Sequence, residues 1–383
     1  MLKFFSDRVR FNRNEFSGSF GDIGTDFPLI TGMILACGLD VTSTFVMFGA
    51  MQVLTGVVYG IPMAVQPLKI MAVIMITQKL SGNILYGGGL AIGVLMLALS
   101  LSGLLGWVAR VIPKSVIRGV QFGLGLQLAM LSLKDYIPSE GAGGYALAGI
   151  GFLMIVFLLG NKKCPPAPFV ILLGIIYALV YKADFSALPG TFGVTWPQPR
   201  VPALSDILTG LVMLTLPQVP LSICNSIFAT RQTVEDFFPE KPVTVRRIGL
   251  TYSLMNLLNP FFGGIPTCHG SGGMAGHHAF GARTGGSVVI YGIFYLVLGL
   301  FFSKGFGEVI HFFPKPVLGT ILVFEGLALM RLMRDLRESR GEFALALLVG
   351  VMAAGLPYGY LVAMILGTCL KRCVDKQWIR WMD

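Results

Sequence analysis

Charge is what this chain has least of. Asp, Glu, Lys and Arg together make up 13% of its 383 residues, against about 25% in a typical soluble domain. A soluble fold of this length has more surface than so few charges can cover. That excludes a soluble enzyme, and the abundance of apolar residues excludes a disordered chain. Acidic residues are the scarcer sign, 19 against 29 basic, and the net charge is +10. Such a balance would suit nucleic acid, but the placement of the charges, described next, argues against that partner. Only four histidines are present, and the six cysteines (Cys37, Cys164, Cys224, Cys268, Cys369 and Cys373) show neither paired zinc spacing nor a disulfide framework. No metal and no cofactor is expected. The first residues, MLKFFSDRVRFNRNEF, are basic and amphipathic and lack the apolar core and cleavage site of a removable signal peptide.

What the chain has in excess is apolar surface. Hydrophobic residues reach 54%, with 49 Gly and 28 Phe, and the mean hydropathy is +0.75. A transmembrane helix needs about 20 apolar residues. Fourteen apolar stretches stand out: 19–37, 43–60, 67–80, 88–109, 114–132, 143–160, 167–182, 204–230, 247–262, 271–282, 286–303, 315–331, 341–356 and 358–372. The third and the tenth are too short and too interrupted to span alone, and the last two are short and split at Pro357. With the N-terminus inside, the cytoplasmic stretches collect most of the basic residues. Among them are Lys3, Arg8, Arg10 and Arg13; Arg110, Lys114 and Arg118; Lys162 and Lys163; Arg231, Arg246 and Arg247; Arg283; Arg331, Arg334, Arg337 and Arg340; and Lys371 and Arg380. This is the distribution the positive-inside rule demands. A multi-pass protein of the cell's inner membrane is expected, with both termini cytoplasmic and the lipid bilayer as its surroundings.

The sequence also repeats itself. Gly60-Ile61-Pro62 recurs as Gly264-Ile265-Pro266, Ile112-Pro113-Lys114 as Phe313-Pro314-Lys315, and Gly125-Leu126 as Gly326-Leu327; Phe27-Pro28-Leu29 resembles Val219-Pro220-Leu221. Each match is weak, but the shared order and an offset of about two hundred positions mark a duplicated unit. Seven segments is an odd number, so tandem copies enter the membrane with opposite orientation, the inverted-repeat plan of secondary transporters. In such folds, interrupted segments at corresponding positions of the two halves point to the binding site.

A proline-led extended stretch followed by a half-helix exposes backbone N–H groups at the helix start. Such an end resembles about half a positive charge and forms an anion site. Two of them near the bilayer midplane, with Lys69, could balance a small dianion. In Gly270-Ser271-Gly272-Gly273 the missing side chains would let backbone approach a ligand, or serve close helix packing. Gln66, Thr267 and Ser271 could donate hydrogen bonds to oxygens. An intramembrane lysine is costly enough that function is the default reading of Lys69. His269, His277 and His278, beside Cys268, lack the spacing of a metal site, and hydrogen bonding or proton sensing by His269 is the preferred reading. Asp22, Asp26 and Glu325 are the acids in apolar context. Asp22 and Asp26 could cap the first helix or carry protons, and Glu325 is a candidate proton carrier or buried structural carboxylate.

At these motifs the chain resembles the molybdate transporter family related to the SulP sulfate permeases. Pro62-Met63-Ala64-Val65-Gln66-Pro67-Leu68-Lys69 is similar to that family's proline–valine–glutamine–proline–x–lysine block. Pro266-Thr267-Cys268-His269-Gly270-Ser271-Gly272-Gly273, continuing to Phe280-Gly281-Ala282-Arg283-Thr284-Gly285, is similar to its long cysteine–histidine–glycine block. Gly21-Asp22-Ile23-Gly24-Thr25 and Gln218-Val219-Pro220-Leu221 with Asn225-Ser226 extend the likeness over nearly the whole chain.

The resemblance implies an all-α polytopic membrane protein of seven plus seven inverted segments, like the SulP and uracil-permease folds. A core subdomain would comprise 17–109 and 203–303 and a gate subdomain 110–202 and 304–372, flanked by a cytoplasmic segment 1–16 and a tail 373–383. It implies molybdate, a tetrahedral dianion, as substrate, with tungstate or sulfate as close relatives, carried by alternating access. Substrate would be held by Asp26, Gln66, Lys69, Gln218, Asn225, Thr267, His269, Gly270, Ser271 and Gly272, with Asp22, Asp26 and Glu325 as candidate proton-coupling groups. Gln218 stands where many SulP proteins place a carboxylate, so proton coupling does not follow at that position. No STAS domain is expected. A coupling proton and a homodimer stay open as partners. A sulfate or nucleobase transporter of the same fold stays open too, although a nucleobase would want a carboxylate and the motif segments contain none. So does a membrane-embedded metal enzyme built on His269, His277 and His278.

Overall fold

Long apolar stretches punctuated by Gly, Pro and Ser fold here into helices that end where those residues stand. The computed structural model describes residues 8–159, 161, 166–181, 192–310, 313–356 and 358–379. Lys3, Lys162, Lys163, Cys164, Pro357 and Arg380 lie outside the described residues.

In the first half, α1 (Arg13–Ser19) leads into α2 (Ile23–Cys37), α3 (Val41–Tyr59), β1 (Val65–Pro67), α4 (Lys69–Gln78), α5 (Gly82–Leu101), α6 (Leu104–Val111), α7 (Lys114–Leu131), α8 (Gly141–Leu158) and α9 (Pro166–Tyr181). The second half holds α10 (Leu204–Gly210), α11 (Leu216–Leu221), α12 (Thr230–Phe237), α13 (Val245–Leu258), β2 (Thr267–His269), α14 (Ser271–Ala279), α15 (Gly286–Phe301), α16 (Phe306–Val309), α17 (Lys315–Met330), α18 (Arg340–Gly355) and α19 (Gly359–Asp375). π-helical turns at Leu211–Thr215 and Ser222–Ala229 join α10, α11 and α12 into one long segment, the counterpart of α2. Pro217 and Pro220 bring no N–H to that helix, and widened turns accommodate the missing bonds. From there the halves correspond element by element: α3 with α13, β1 with β2, α4 with α14, α5 with α15, α7 with α17, α8 with α18 and α9 with α19. This is the seven-plus-seven plan.

The fourth segment differs from expectation. It starts earlier, at Gly82, where Ser81 accepts from the Asn83 amide, and it stops at Leu101 instead of running to 109. Gly103, with φ +77°, turns the chain there and α6 begins anew. Among the described residues, five helices are long and apolar enough to cross a membrane, or six if the bent pair α1–α2 counts as one span. The remaining segments are shorter or broken.

At the centre, β1 and β2 pair antiparallel, with Val65 opposite His269, Gln66 opposite Cys268 and Pro67 opposite Thr267. Extended backbone at membrane depth must find partners inside the protein. Two side chains supply them in equivalent ways. Gln52 of α3 donates to Val65 O (2.8 Å) and accepts from Val65 N (3.1 Å). Asn256 of α13 donates to Thr267 O (2.6 Å) and accepts from Thr267 N (2.9 Å). The helices before each strand end alike, at Gly60 (φ +66°) and at Gly263 (φ +67°), a backbone that favours glycine.

The helices pack in two groups. In one, α3 lies on α15, and α5 on α13 and α10; in the other, α7 lies on α17 and α18, and α19 on α18. The stretch before α10 belongs with the first group, since Gly193 N donates to Phe301 O (2.9 Å) and Arg200 N to Phe261 O (2.8 Å). α17 joins the groups by also touching α14 and α2. The repeated Gly-Leu pair marks where α7 and α17 cross: a Cβ on Gly125 would lie 2.5 Å from Gly326 O, and one on Gly326 2.6 Å from Gly125 O. Exposed Leu153, Phe157, Leu172, Val180, Val351 and Ile365 give the second group an apolar outer side suited to lipid.

Candidate functional site

Each short helix begins directly beyond its strand, so the antiparallel pairing sets the two N-termini at the two ends of the strand pair, with the helices running apart. Lys69 is the first residue of α4. Its stem is half-buried, while Nζ is enclosed and has no hydrogen-bond partner in the protein. Asp22 and Asp26 from the start of α2 and Glu325 from the middle of α17, all fully buried, face it within electrostatic range. Asp22 Oδ1 accepts from Gln66 Nε2 (2.6 Å), and Glu325 Oε2 from Thr25 Oγ1 (3.0 Å). Asp22 Oδ2, Glu325 Oε1, Gln66 Oε1 and Ser226 Oγ are buried without partners. Buried polar groups are ordinarily satisfied, at a cost of about 1–3 kcal/mol each when they are not. Several around one ammonium mark a candidate binding site.

The helix ends differ. Gln218 Oε1 accepts from Ile70 N (2.9 Å) and Met71 N (3.3 Å), closing the start of α4, and Gln218 Nε2 donates to Ser222 Oγ (3.2 Å). At α14 the cap residue is Gly270, which brings no side chain. Ser271 Oγ donates to Asn225 Oδ1 (2.7 Å). The glycines that follow lie against the protein's own polar groups. A Cβ on Gly270 would collide with Gln66 Oε1, one on Gly272 would lie 2.7 Å from Glu325 Oε1, and one on Gly273 would collide with Asp22 Oδ2. Asp22 precedes α2 but makes no side-chain capping bond, its carboxylate being turned to Gln66.

This arrangement can be set beside known proteins. The profile described as a molybdate transporter of the MFS superfamily matches residues 14–128 and 210–329. The chain belongs to the molybdate transporter family. Molybdate transporter 1 of Arabidopsis thaliana is 31% identical over 385 residues, covering 88% of this chain and 83% of the relative. Among solved structures, SLC26A9 is similar in fold (TM-score 0.59, 14% identity) over 94% of this chain, which spans 65% of that one. So is the transmembrane domain of the cyanobacterial bicarbonate transporter BicA, with TM-score 0.55 and 16% identity over 91% of this chain and 99% of that domain. The chain is a multi-pass integral membrane protein. Its seven-plus-seven repeat differs from the nested three-plus-three repeats of the MFS plan.

In this molybdate transporter family member, Asp22, Asp26, Gln66, Lys69, Gln218, Asn225, Gly270, Ser271, Gly272 and Glu325 converge on one centre. Thr267 and His269 do not. Successive strand residues point to opposite faces. Gln66 and Cys268 share the face toward Lys69, while Thr267 and His269 take the other. Thr267 Oγ1 accepts from Asn259 Nδ2 (3.2 Å). His269 Nε2 shares a 2.7 Å hydrogen bond with Thr251 Oγ1, and its ring stands edge-on to Tyr59 at 5.5 Å. Their side chains thus brace the strand on the face away from Lys69. His277 meets Tyr291 edge-on at 5.7 Å and His278 stacks on Phe237 at 4.0 Å. Among the described residues, no three of His, Cys, Asp and Glu form a group able to hold a metal ion. The carboxylate a nucleobase would want, absent from the motif segments, is supplied from α2 and α17.

Sequence reasoning missed Gln52, Asn256 and Thr25. For the first two a signal was present: single amides inside apolar helices at repeat-equivalent positions.

Proposed function

We propose that this chain carries molybdate across its membrane by alternating access, holding the dianion beside Lys69 between the starts of α4 and α14. The observation that carries the proposal is the enclosed Lys69 Nζ with no protein partner. An ammonium removed from water without a hydrogen-bond partner costs several kcal/mol, and an oxyanion that accepts from it offsets that cost. The uncapped start of α14 adds about half a positive charge. Family membership, and a plant relative named a molybdate transporter, support this substrate. Tungstate, alike in charge and shape, is expected to follow.

The three carboxylates set the condition for binding. All ionised, they outweigh Lys69 and repel a dianion. Protonated, each becomes an O–H donor to an oxyanion oxygen. Molybdate therefore binds together with protons, and a proton is the coupling ion. The helix group holding α2, α4 and α14 acts as core and the group around α7, α17 and α18 as gate. Their relative movement opens the centre to one face and then the other, with both termini cytoplasmic and the substrate released chemically unchanged.

The test is uptake of radiolabelled molybdate by purified protein in liposomes with an acidic exterior. Accumulation competed by tungstate, weakly by sulfate and not by uracil is expected. No uptake under any ion gradient would sink the proposal, and competition by uracil alone would favour a nucleobase, for which the buried carboxylates are the partner.

A further inference from the structure

A second cluster of charge lies away from Lys69, at the far end of α14. Arg118 of α7 is 2% exposed. Its guanidinium holds Asp236 at the end of α12 (Nη2–Oδ1 2.7 Å) and Asp335 in the turn after α17 (Nη2–Oδ2 2.7 Å), with Gln121 Oε1 at 2.9 Å. Asp335 also takes Lys114 at 2.7 Å. The Arg118–Asp236 pair ties one helix group to the other. Beside it opens a cavity of about 320 Å³, bounded by Ala275 and His278 of α14 and by Arg331 and Arg334. Among the described residues, Arg331 and Arg334 make no ion pair and no side-chain hydrogen bond, and both are exposed. Both aspartates of the cavity wall are already spent on Arg118 and Lys114, so its free charge is positive. α14 spans nine residues from Ser271 at the centre to Ala279 at the cavity, about 13 Å of helix.

We infer that this cavity is a second oxyanion site, in which Arg331 and Arg334 take a tetrahedral dianion at the far end of α14 from the Lys69 centre. Two arginines one helical turn apart lie on one face, and guanidinium groups bind tetrahedral oxyanions through paired hydrogen bonds. The C-terminal end of α14 opposes an anion by about half a charge, so the site is weak and depends on both arginines. An anion held there faces the carboxylates of Asp236 and Asp335 and repels them. That loosens their grip on Arg118, and with it the tie between the groups. The occupant is molybdate or the cell's inorganic phosphate, which present the same chemistry. The inference deepens the reading given above, yet its test separates the two.

Equilibrium binding of radiolabelled molybdate to the detergent-solubilised full chain should show two sites per chain, the weaker lost at high salt. R331Q/R334Q should abolish the weaker site and Lys69→Ala the tighter one. R331K/R334K, which keeps both charges but loses the paired donors, should retain part of the weaker binding, more than R331Q/R334Q does, and guards against a folding defect. If the central site does not take molybdate, one site remains, removed by R331Q/R334Q and untouched by Lys69→Ala. One site in the wild type, unchanged in R331Q/R334Q, overturns the inference. Displacement of the weaker site by equimolar phosphate would assign it to phosphate, and resistance to phosphate would assign it to molybdate.

Discussion

The two short helices occupy equivalent places in the repeat and carry unlike chemistry. α4 opens with Lys69 and has its first amides taken by Gln218; α14 opens with Ser271, has no cap, and lays Gly270, Gly272 and Gly273 on Gln66, Glu325 and Asp22. Around them the backbone is duplicated almost faithfully, with paired strands, matched left-handed glycines and the two amide clamps. The difference teaches that duplication fixed a frame and that function then broke its symmetry: one half brings the cation, the other a bare helix end close to the acids.

The largest expected effect breaks the comparison at its centre. Lys69→Ala should weaken molybdate affinity by about a hundredfold or more, as loss of a buried charge partner costs about 2–5 kcal/mol. The equivalent Ser271→Ala should cost only about tenfold, the worth of a neutral hydrogen bond. Titration calorimetry decides, and equal effects would contradict the asymmetry. Next come the clamps. Gln52→Ala and Asn256→Ala should each lower unfolding stability by about 2 kcal/mol, leaving two strand groups unsatisfied. Near-equal losses in thermal unfolding would sharpen the claim of a duplicated frame.

A smaller effect is expected from Gly272→Ala, whose methyl meets Glu325 Oε1. It should cost about 1–3 kcal/mol and cut uptake, whereas Ile70→Val at the matching place in α4 should be nearly neutral. Smallest is Glu325→Gln. Wild-type affinity should fall as pH rises, because ionised carboxylates repel the dianion. The neutral amide should flatten that slope and hold affinity higher at alkaline pH, read from binding at several pH values.

Much of the frame is legible in the sequence. Apolar stretches placed the segments, and Gly60-Ile61-Pro62 with Gly264-Ile265-Pro266 exposed the repeat, because turns and helix starts impose local residue choices. The sequence block ending at Lys69 and the glycine block marked the centre for the same reason. What escaped depends on distance in the chain. That Glu325 and Asp22 fill the space left by Gly272 and Gly273 requires α2 and α17 to be brought to α14, which no local pattern encodes. Gln52 and Asn256 are single amides whose task appears only once the strands they clamp are in place. Thr267 and His269 face away from Lys69 for a simpler reason: in an extended stretch, neighbours point opposite ways, and Gln66 with Cys268 take the side toward Lys69.

The central claim is that a dianion enters the Lys69 centre only with protons. Adding molybdate to weakly buffered, detergent-solubilised protein and following the pH tests it directly. The account predicts alkalinisation equal to at least one proton taken up per molybdate bound at the tighter site, abolished in Lys69→Ala. Molybdate binding without any proton uptake would contradict it.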